Sequence, residues 1–425
     1  MTESDPPKLD PPVDQAPVGF FGRVLTSLPL FMISLSLTIV FWLLRSSIDS
    51  MWAEVGFVLS AAVFISILIA EACDPFADAA QWVGIKLRIP SSVRGATLDA
   101  IASSMPELFT GLFFVVVALT ASQDQSEQLL KSAEGYGSTI ATCAGSSIYN
   151  LILIPAVCAI AVSLKRKSKP YVAIERDVVN RDGGWVVMVQ LGLLFFLFQP
   201  KLHWWMGLIA LLAYVVYILH LFIDTRSYRS RIYSGEIEEA EAEDSASCLF
   251  GKLEIGLTAT SATIILLTAT AVAAIACYFL VELTNSSAER LGIPAFFVAV
   301  ILTAAVSSIP DTFMSLGSSL RGDDSGAVSN VFGSNIFDIC IGMSIPLLVS
   351  CYLNDWQPIV LVGENNETLG GVVGLRVLLF FLSIVALGSM WYFRRIGRGT
   401  AYAFCGLYAI FVGYAVLGGL GIIEV

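Results

Sequence analysis

This chain has few histidines and no closely spaced pair of cysteines. Its 425 residues include two histidines and eight cysteines, and the cysteines form no C-x-x-C pair. Zinc sites need closely spaced His and Cys ligands, and disulfide frameworks belong to small secreted domains. The sequence therefore argues against a metal-thiolate enzyme. It predicts instead that the cysteines pack as small apolar side chains.

Charged residues are also few. Only 14% of the residues are Asp, Glu, Lys or Arg, whereas 56% are hydrophobic, and the mean hydropathy is +0.77. A water-soluble chain of this length cannot bury so much apolar surface, so the sequence predicts an integral membrane protein in a lipid bilayer. The net charge of −11 does not indicate a nucleic-acid partner, because most acids lie between the apolar runs.

Apolar runs that approach or exceed the length of a membrane crossing, roughly 30 Å of hydrocarbon, are what the chain has in abundance. Six precede a polar connection and five follow it. They cover residues 24–44, 55–72, 93–121, 137–163, 185–198, 203–223, 255–281, 293–320, 327–351, 371–391 and 400–420. The run at 185–198 is short for a crossing. The predicted fold class is an all-α polytopic membrane protein.

These runs also divide the chain. The first residues contain five prolines and few apolar side chains, which predicts disorder. We expect a disordered cytoplasmic tail at 1–23, an extra transmembrane helix at 24–46, a first five-helix repeat at 54–224, an acidic cytoplasmic linker at 225–252 and a second five-helix repeat at 253–423. We interpret the first run as a retained helix, with a cleaved signal as the alternative. The acidic linker reads as a solvated connection rather than a sensor of divalent cations.

Basic residues predict the orientation. One set of alternate loops contains seventeen Lys and Arg residues, and the opposite set contains five. Since basic loops stay on the cytoplasmic side, we expect a cytoplasmic N-terminus and an outside C-terminus, in the plasma (cell inner) membrane. We expect the protein to work as a monomer.

Two short motifs place a proline and a carboxylate side by side inside apolar runs. Ala102–Glu107 reads A-S-S-M-P-E, and Val306–Asp311 reads V-S-S-I-P-D. Carboxylates within a bilayer are costly and usually functional. Five predicted crossings separate the two motifs, so they run in opposite directions through the membrane. Inverted copies of this kind are typical of transporters built from two halves.

A second pair of motifs follows in the next run of each half. Residues 138–150 read STIATCAGSSIYN, and residues 326–338 read GAVSNVFGSNIFD. Aligned without gaps, they share Gly145 with Gly333, Ser146 with Ser334 and Ile148 with Ile336, and they end on Asn150 and Asp338. Each serine lies four residues before the terminal Asn or Asp, which places both on one helical face.

Together the four motifs predict an oxygen-rich cation site. Pro106 and Pro310 each remove a backbone donor, so the turns at 100–103 and 304–307 are expected to open and free carbonyl oxygens. The other candidate ligands are Glu107, Asp311, Asp338, the amide of Asn150, and the hydroxyls of Ser104, Ser308, Ser146 and Ser334. Ligation by oxygen alone suits Ca²⁺, Na⁺ or K⁺. Taken singly, the prolines fit packing kinks and the Gly-Ser motifs fit close helix packing.

Other acids near the ends of the runs have a simpler interpretation. Glu71, Asp74, Asp99 and Glu282 are expected to be solvated by loops or by the membrane interface.

The motifs resemble those of the cation/calcium exchanger superfamily, and most of all the potassium-dependent sodium/calcium exchangers. The resemblance rests on Ser103–Thr110, Thr303–Asp311 and Gly333–Asp338. It implies ten core helices in two inverted repeats of five, with one extra N-terminal helix. The chain departs from the family pattern at Ala102 and Val306, where glycine is usual. The spacing of the two motifs is also longer in the first half, which is consistent with an insertion near residues 123–136.

The resemblance also implies roles for individual residues. Glu107 and Asp311 correspond to the central Ca²⁺ carboxylates, with the carbonyls of Ser103 and Ser307. Na⁺ ligands are implied at Ser104, Ser308, Ser146, Ser334 and the carbonyls of Ala100 and Ala304. Asp338 corresponds to the position associated with K⁺ dependence. The hypothesis is an antiporter that exchanges Na⁺ for Ca²⁺ without a cofactor, with K⁺ co-transport left open.

Three other functions remain open from the sequence. A proton/Ca²⁺ exchanger would alternate protons and metal on the same carboxylates. A cation channel would need no counter-ion. An intramembrane enzyme would use Glu107 and Asp311 as an acid pair, but no nucleophile or metal centre accompanies them.

Overall fold

The computed structural model describes residues 27–48, 50–120, 125–233, 244–361 and 372–423. The expected disordered tail at 1–23, the linker acids from Glu236 to Glu243 and the C-terminal Val425 lie outside these residues. Within them the protein is almost entirely helical, as the apolar runs predict.

Eleven long helices account for the architecture of the described residues. In chain order they are α1 Leu28–Ser47, α2 Met51–Lys86, α3 91–120, α4 125–165, α5 176–197, α6 Trp204–Tyr233, α7 Ala259–Leu291, α8 295–321, α9 324–353, α10 Val372–Phe393 and α11 Arg398–Gly419. Helix α1 precedes two sets of five, α2–α6 and α7–α11. The predicted fold class is confirmed.

Ten of these helices are long and apolar enough to cross a membrane, rather than the eleven expected. The exception among the described helices is α5, whose apolar part is only the 14 residues Gly184–Leu197. Its first turns contain Arg176, Asp177, Arg181 and Asp182. Charged residues in these turns shorten the apolar stretch without ending the helix, which is why the run at 185–198 looked short in the sequence.

The helices that contain the motifs are widened by single π turns, in which each backbone bond spans one extra residue. Two of these turns, Gly95–Asp99 in α3 and Ala299–Thr303 in α8, occupy equivalent positions in the two halves. Two more, Tyr149–Leu153 in α4 and Asp338–Gly342 in α9, contain or begin at the residue that ends each second motif. Every one of the four motifs therefore adjoins an irregular turn.

The prolines act differently from the expectation of opened turns at 100–103 and 304–307. Helix α3 continues through Pro106 without a break from Ala100 to Thr120. In α8 the helix is interrupted at Ser308, yet the Ser308 amide still donates to the carbonyl of Ala304 at 3.2 Å. The Thr312 amide likewise donates to the carbonyl of Ser308 at 3.2 Å. The Ser308 amide thus keeps the turn at 304–307 closed, α3 stays helical over 100–103, and a π turn precedes the motif in both helices.

Glycines allow the two halves to cross at very short distance. A Cβ placed on Gly333 of α9 would lie 2.5 Å from the carbonyl oxygen of Ala96 in the α3 π turn. A Cβ on Gly145 of α4 would lie 2.5 Å from the carbonyl oxygen of Val300 in the α8 π turn. The second motif of each half therefore packs directly on the backbone of the first motif's helix in the other half.

Two short antiparallel strand pairs join the halves. Strand β1 (Val172–Ala173), after α4, pairs with β6 (Arg395–Ile396), before α11. Strand β2 (Lys201–Leu202), before α6, pairs with β5 (Ile359–Val360), after α9. The two strand pairs are equivalent under the inverted repeat. In each of them, a strand that follows α4 or α9 pairs with a strand that precedes α11 or α6.

A β-hairpin lies against α2. Strand β3 (Ser245–Cys248) pairs with β4 (Leu253–Gly256). The Ser247 amide donates to Asp78 of α2 at 3.1 Å, and the Phe250 amide donates to Glu71. Glu71 was expected to be solvated by a loop, but α2 extends to Lys86 and places Glu71 within the helix.

The close approach of Gly333 and Gly145 to backbone oxygens predicts the effect of a methyl group added at either position. Gly333→Ala and Gly145→Ala should each lower the thermal stability of the detergent-solubilised protein, because the added methyl group meets a backbone oxygen that cannot rotate away. Overpacking of this kind typically costs about 1–3 kcal/mol. The measurement is the loss of the monodisperse peak in size-exclusion chromatography after heating.

Gly388→Ala is the matched control, because a Cβ on this glycine of α10 meets nothing within 4 Å. It should leave the melting temperature unchanged or raise it slightly. Equal melting temperatures for all three variants would contradict the proposed close crossing.

Candidate cation site

Helices α3, α4, α8 and α9 bring the four sequence motifs to one place. The structure buries every predicted side-chain ligand completely, with 0% exposure for Glu107, Asp311, Asp338, Asn150, Ser103, Ser104, Ser307, Ser308, Ser146 and Ser334. Ala100 and Ala304, predicted to act through their carbonyls, are buried at 0% and 2% exposure. The site is therefore closed to solvent on every side in this conformation.

Asp311 is the most fully bonded of the three carboxylates. The Ser334 hydroxyl lies 2.5 Å from its Oδ1, and the Ser103 hydroxyl contacts the same oxygen. The Ser104 hydroxyl is 3.5 Å from Oδ1, and the amide of Asn150 donates to Oδ2 at 3.5 Å. Asp311 is thus held by side chains from both halves.

Glu107 occupies the equivalent place in the other half, with fewer partners. Its Oε1 lies 3.1 Å from the Ser308 hydroxyl and 3.2 Å from the Ser146 hydroxyl, and the Ser307 side chain also contacts the carboxylate. Its Oε2 is buried and has no hydrogen-bond partner among the described residues. One carboxylate oxygen of Glu107 is therefore available to a cation.

Asp338 is the third carboxylate and begins the π turn of α9. Its Oδ2 lies 2.8 Å from the Ser146 hydroxyl, and the Ser104 side chain also contacts it. Its Oδ1 is buried without a hydrogen-bond partner among the described residues. Like Glu107, Asp338 retains one oxygen for a ligand.

The Ser146 hydroxyl connects the three acids. It lies within hydrogen-bond distance of Glu107 and Asp338, and also of Ser308 at 2.9 Å and the Asn150 amide at 3.3 Å. A hydroxyl has a single proton to donate, so it cannot satisfy both carboxylates at once. Three buried carboxylates with too few donors need a cation or a proton for neutrality.

The twin positions Asn150 and Asp338 behave differently. The amide nitrogen of Asn150 donates towards Asp311, whereas the Asp338 carboxylate can only accept when it is ionised. The oxygen of Asn150, Oδ1, is buried and unpartnered among the described residues. Asn150 therefore offers a neutral oxygen where its twin offers a charge.

The predicted carbonyl ligands already have partners. The carbonyl of Ala304 accepts from the Ser308 amide at 3.2 Å and from the Ser307 hydroxyl at 3.3 Å. The carbonyl of Ala100 lies 3.5 Å from the Ser103 hydroxyl. Ser103 and Ser307, expected to act through carbonyls, contact the carboxylates through their side chains. A cation that uses these carbonyls must replace or share those hydrogen bonds.

Sequence reasoning missed Asn330. Its Oδ1 lies 3.5 Å from the Ser103 hydroxyl, and its amide donates to Ser315 at 2.9 Å. The signal was present in the sequence, since Asn330 lies one helical turn before Ser334 on the same face of α9. Asn330 extends the polar cluster beyond the predicted ligands.

The donor set mixes charged and neutral oxygens. Among the described residues, no group of three or more His, Cys, Asp and Glu side chains converges closely enough to hold a metal by itself. Hydroxyl and amide oxygens must therefore complete the coordination, as is usual for Ca²⁺ and for alkali cations.

Comparison with known proteins agrees with this chemistry. The family model described as "sodium/calcium exchanger protein" matches residues 55–223 and 261–417. Human sodium/potassium/calcium exchanger 3 is 26% identical over 197 residues, which are 44% of this chain and 27% of that protein. The Bos taurus sodium/potassium/calcium exchanger 1 is 31% identical over 140 residues, which are 33% of this chain and 11% of that protein. The aligned regions thus span about a quarter or less of the length of these curated relatives.

Solved structures share the fold. Native YfkE matches with a TM-score of 0.59 at 16% identity, over 92% of this chain and 98% of that one. The sodium-calcium exchanger NCX_Mj matches with a TM-score of 0.51 at 17% identity, over 82% of this chain and 95% of that one. Since the family model covers well over half of the sequence, this multi-pass membrane protein belongs to the sodium/calcium exchanger protein family.

Proposed function

We propose that this chain is a secondary active antiporter that exchanges Na⁺ for Ca²⁺ by alternating access to one shared site. The observation that carries the proposal is the meeting of Glu107 and Asp311, from motifs of opposite direction, in one cluster bridged by hydroxyls. A site built from two inverted halves can be exposed to either face of the membrane by related movements of those halves.

Each ion has a fitting set of oxygens. Glu107 and Asp311 provide the two carboxylates for Ca²⁺, with Ser103 and Ser307 beside them. Na⁺ would use hydroxyl and carbonyl oxygens, namely those of Ser104, Ser308, Ser146, Ser334, Ala100 and Ala304. Asn150 adds a neutral oxygen, and Asp338 adds a third negative charge. One Ca²⁺ together with one K⁺ would cancel three carboxylates, which favours K⁺ co-transport.

Closure of the site supports exchange over conduction. Glu107, Asp311 and Asp338 are all fully buried, so an ion must wait for a conformational change before it leaves. A channel would need a continuous path to both faces. The family comparisons also match exchangers rather than enzymes.

The placement in the cell is part of the proposal. We propose the plasma (cell inner) membrane and a monomeric working unit. The basic-residue bias of alternate loops supports a cytoplasmic N-terminus and an outside C-terminus. We also propose that residues 54–224 and 253–423 are the two inverted repeats, joined by a cytoplasmic linker at 225–252.

Ca²⁺ uptake by reconstituted vesicles tests the function. An outward Na⁺ gradient should drive accumulation of Ca²⁺, and added K⁺ on the Ca²⁺ side should accelerate it. Uptake driven by a pH gradient alone would replace Na⁺ with H⁺ as the exchanged ion. Ca²⁺ flux that needs no counter-ion and does not saturate would indicate a channel and overturn the proposal.

Neutral replacements of the two central acids provide a second prediction. Glu107→Gln and Asp311→Asn should each abolish Na⁺-driven Ca²⁺ uptake while the protein still purifies as a single species, because each removes a charge that Ca²⁺ needs and leaves the volume unchanged. Glu282→Gln is the matched control, since Glu282 is an exposed acid on α7. Normal uptake by both site variants would show that the ion binds elsewhere.

Asp338 is the subject of a third prediction. Asp338→Asn makes the position identical to its twin, Asn150, and removes the charge assigned to K⁺. Ca²⁺ uptake should then lose its dependence on K⁺, measured as the ratio of initial rates with and without K⁺ at constant Na⁺ gradient. A K⁺ dependence equal to that of the wild-type chain would refute the assignment.

A further inference from the structure

The turns that follow the two central acids differ in polarity at three equivalent positions. Glu107 and Asp311 are 204 residues apart, and the same offset relates the turns that follow them in α3 and α8. After Asp311 the helix face carries Ser315, Ser318 and Ser319, all buried. At the equivalent positions after Glu107 it carries Gly111, Phe114 and Val115, of which Phe114 and Val115 belong to the buried apolar core.

The serines of α8 lead from Asp311 towards the end of the bundle where Arg321 lies. Asn330 of α9 donates to Ser315 at 2.9 Å and lies 3.5 Å from the Ser103 hydroxyl. The Ser103 hydroxyl in turn contacts Asp311. A series of polar side chains therefore extends from Asp311 towards this end.

Asp99 lies beside this polar approach. It is the last residue of the α3 π turn and lies eight residues before Glu107, about 12 Å along the helix axis at 1.5 Å per residue. Its carbonyl accepts the Ser103 hydroxyl at 2.8 Å. The side chain is only 8% exposed, and its Oδ1 has no hydrogen-bond partner among the described residues. The expectation that solvent surrounds Asp99 is therefore wrong.

Nearby cations do not pair with Asp99. Arg94, Arg321, Asp323 and Gln81 are the polar neighbours of its carboxylate. Arg94 donates instead to the carbonyl of Ile89 at 3.3 Å, and Arg321 donates to the hydroxyl of Ser318 at 3.4 Å. Neither arginine forms an ion pair with Asp99 within the part of the chain that the structure describes. The Gln81 side chain hydrogen-bonds to the carboxylate, and the two arginines compensate its negative charge only at a distance.

The other half has no such charge. Thr303 stands at the position equivalent to Asp99, and its hydroxyl lies 2.7 Å from that of Thr284. A threonine is neutral and gives an arriving cation no net charge to interact with. The position equivalent to Asp99 in the other half therefore carries no charge.

We propose that Asp99 is a specificity-determining residue that binds a divalent cation in transit between the site and the end of the bundle marked by Arg94 and Arg321. This inference rests on the proposed exchange function. It makes the affinity for Ca²⁺ higher from that end than from the other. A divalent ion gains twice the Coulomb energy of a monovalent one at the same distance, so Asp99 favours Ca²⁺ over Na⁺ on this approach.

Sided transport measurements test the proposal. Asp99→Asn removes the charge at constant size and is compared with the wild-type chain in uniformly oriented vesicles, right-side-out and inverted. The KM for Ca²⁺ at the face near Arg94 and Arg321 should rise about 3- to 10-fold, given a unit charge at this distance with partial screening. The KM at the other face and the maximal rate should stay unchanged.

Two variants serve as controls. Asp99→Glu keeps the charge and should restore most of the sided affinity. Thr303→Val alters the equivalent position in the other half without adding or removing charge, and it should leave the KM for Ca²⁺ unchanged at both faces. If Asp99→Asn does not give a monodisperse protein, Asp99→Thr, which copies the residue of the other half, takes its place in the same assay.

These measurements distinguish a failure of the role of Asp99 from a failure of the proposed function. Equal changes of KM at both faces, or no change at either, would overturn the role of Asp99. Failure of both Asp99→Asn and Asp99→Thr to assemble would make Asp99 a structural residue and overturn it as well. A wild-type chain that shows no Na⁺-dependent Ca²⁺ flux in these vesicles would refute the proposed function, and the present inference with it.

Discussion

Removal of three carboxylates from water is the physical constraint on which the rest of this structure depends. Burial of one such group without compensation is prohibitive in a membrane, and the chain buries Glu107, Asp311 and Asp338 within one cluster. The compensation is spread over hydroxyls and one amide that come from both halves, and it remains incomplete at two carboxylate oxygens. The close crossings at Gly145 and Gly333 follow from this requirement, because only bare backbones let four helices approach closely enough to share short side chains such as serine.

The inverted repeat brings the site residues together, and the positions at which the two halves differ in sequence determine the charge and polarity of the site. The inverted repeat places the same helices, π turns and serines around a common centre. An amide at position 150 faces a carboxylate at position 338, which makes the cluster unequal in charge. Serines in α8 occupy the positions equivalent to Gly111, Phe114 and Val115 in α3, which makes the turns that follow the two central acids unequal in polarity. Both differences come from side chains placed on the same backbone arrangement in the two halves, and neither requires a change of fold.

The fold and the membership of the site were largely readable from the sequence, whereas its finer geometry was not. Apolar runs and basic loops are local signals, and they predict the helices and the two inverted halves. The repeated motifs likewise identify the residues that the structure gathers around Asp311. The π turns, the burial of Asp99 and the contact of Glu71 with a hairpin depend on packing between residues distant in the chain. The expectation that the prolines open the preceding turns failed for a related reason. Whether such a turn opens depends on which neighbouring amides still reach its carbonyls.

The strand pairs β1–β6 and β2–β5 bear on how the molecule is made. Strand β1 emerges from the ribosome more than two hundred residues before its partner at Arg395–Ile396, so the end of α4 has no strand to join during most of synthesis. Until α8 and α9 are synthesised, Glu107 has Ser146 of its own half but neither Ser308 nor the other acids that complete its surroundings. Insertion of the helices and assembly of the native bundle are therefore separate stages of biogenesis. The first half must persist in the bilayer as an unfinished intermediate until nearly the last helix arrives.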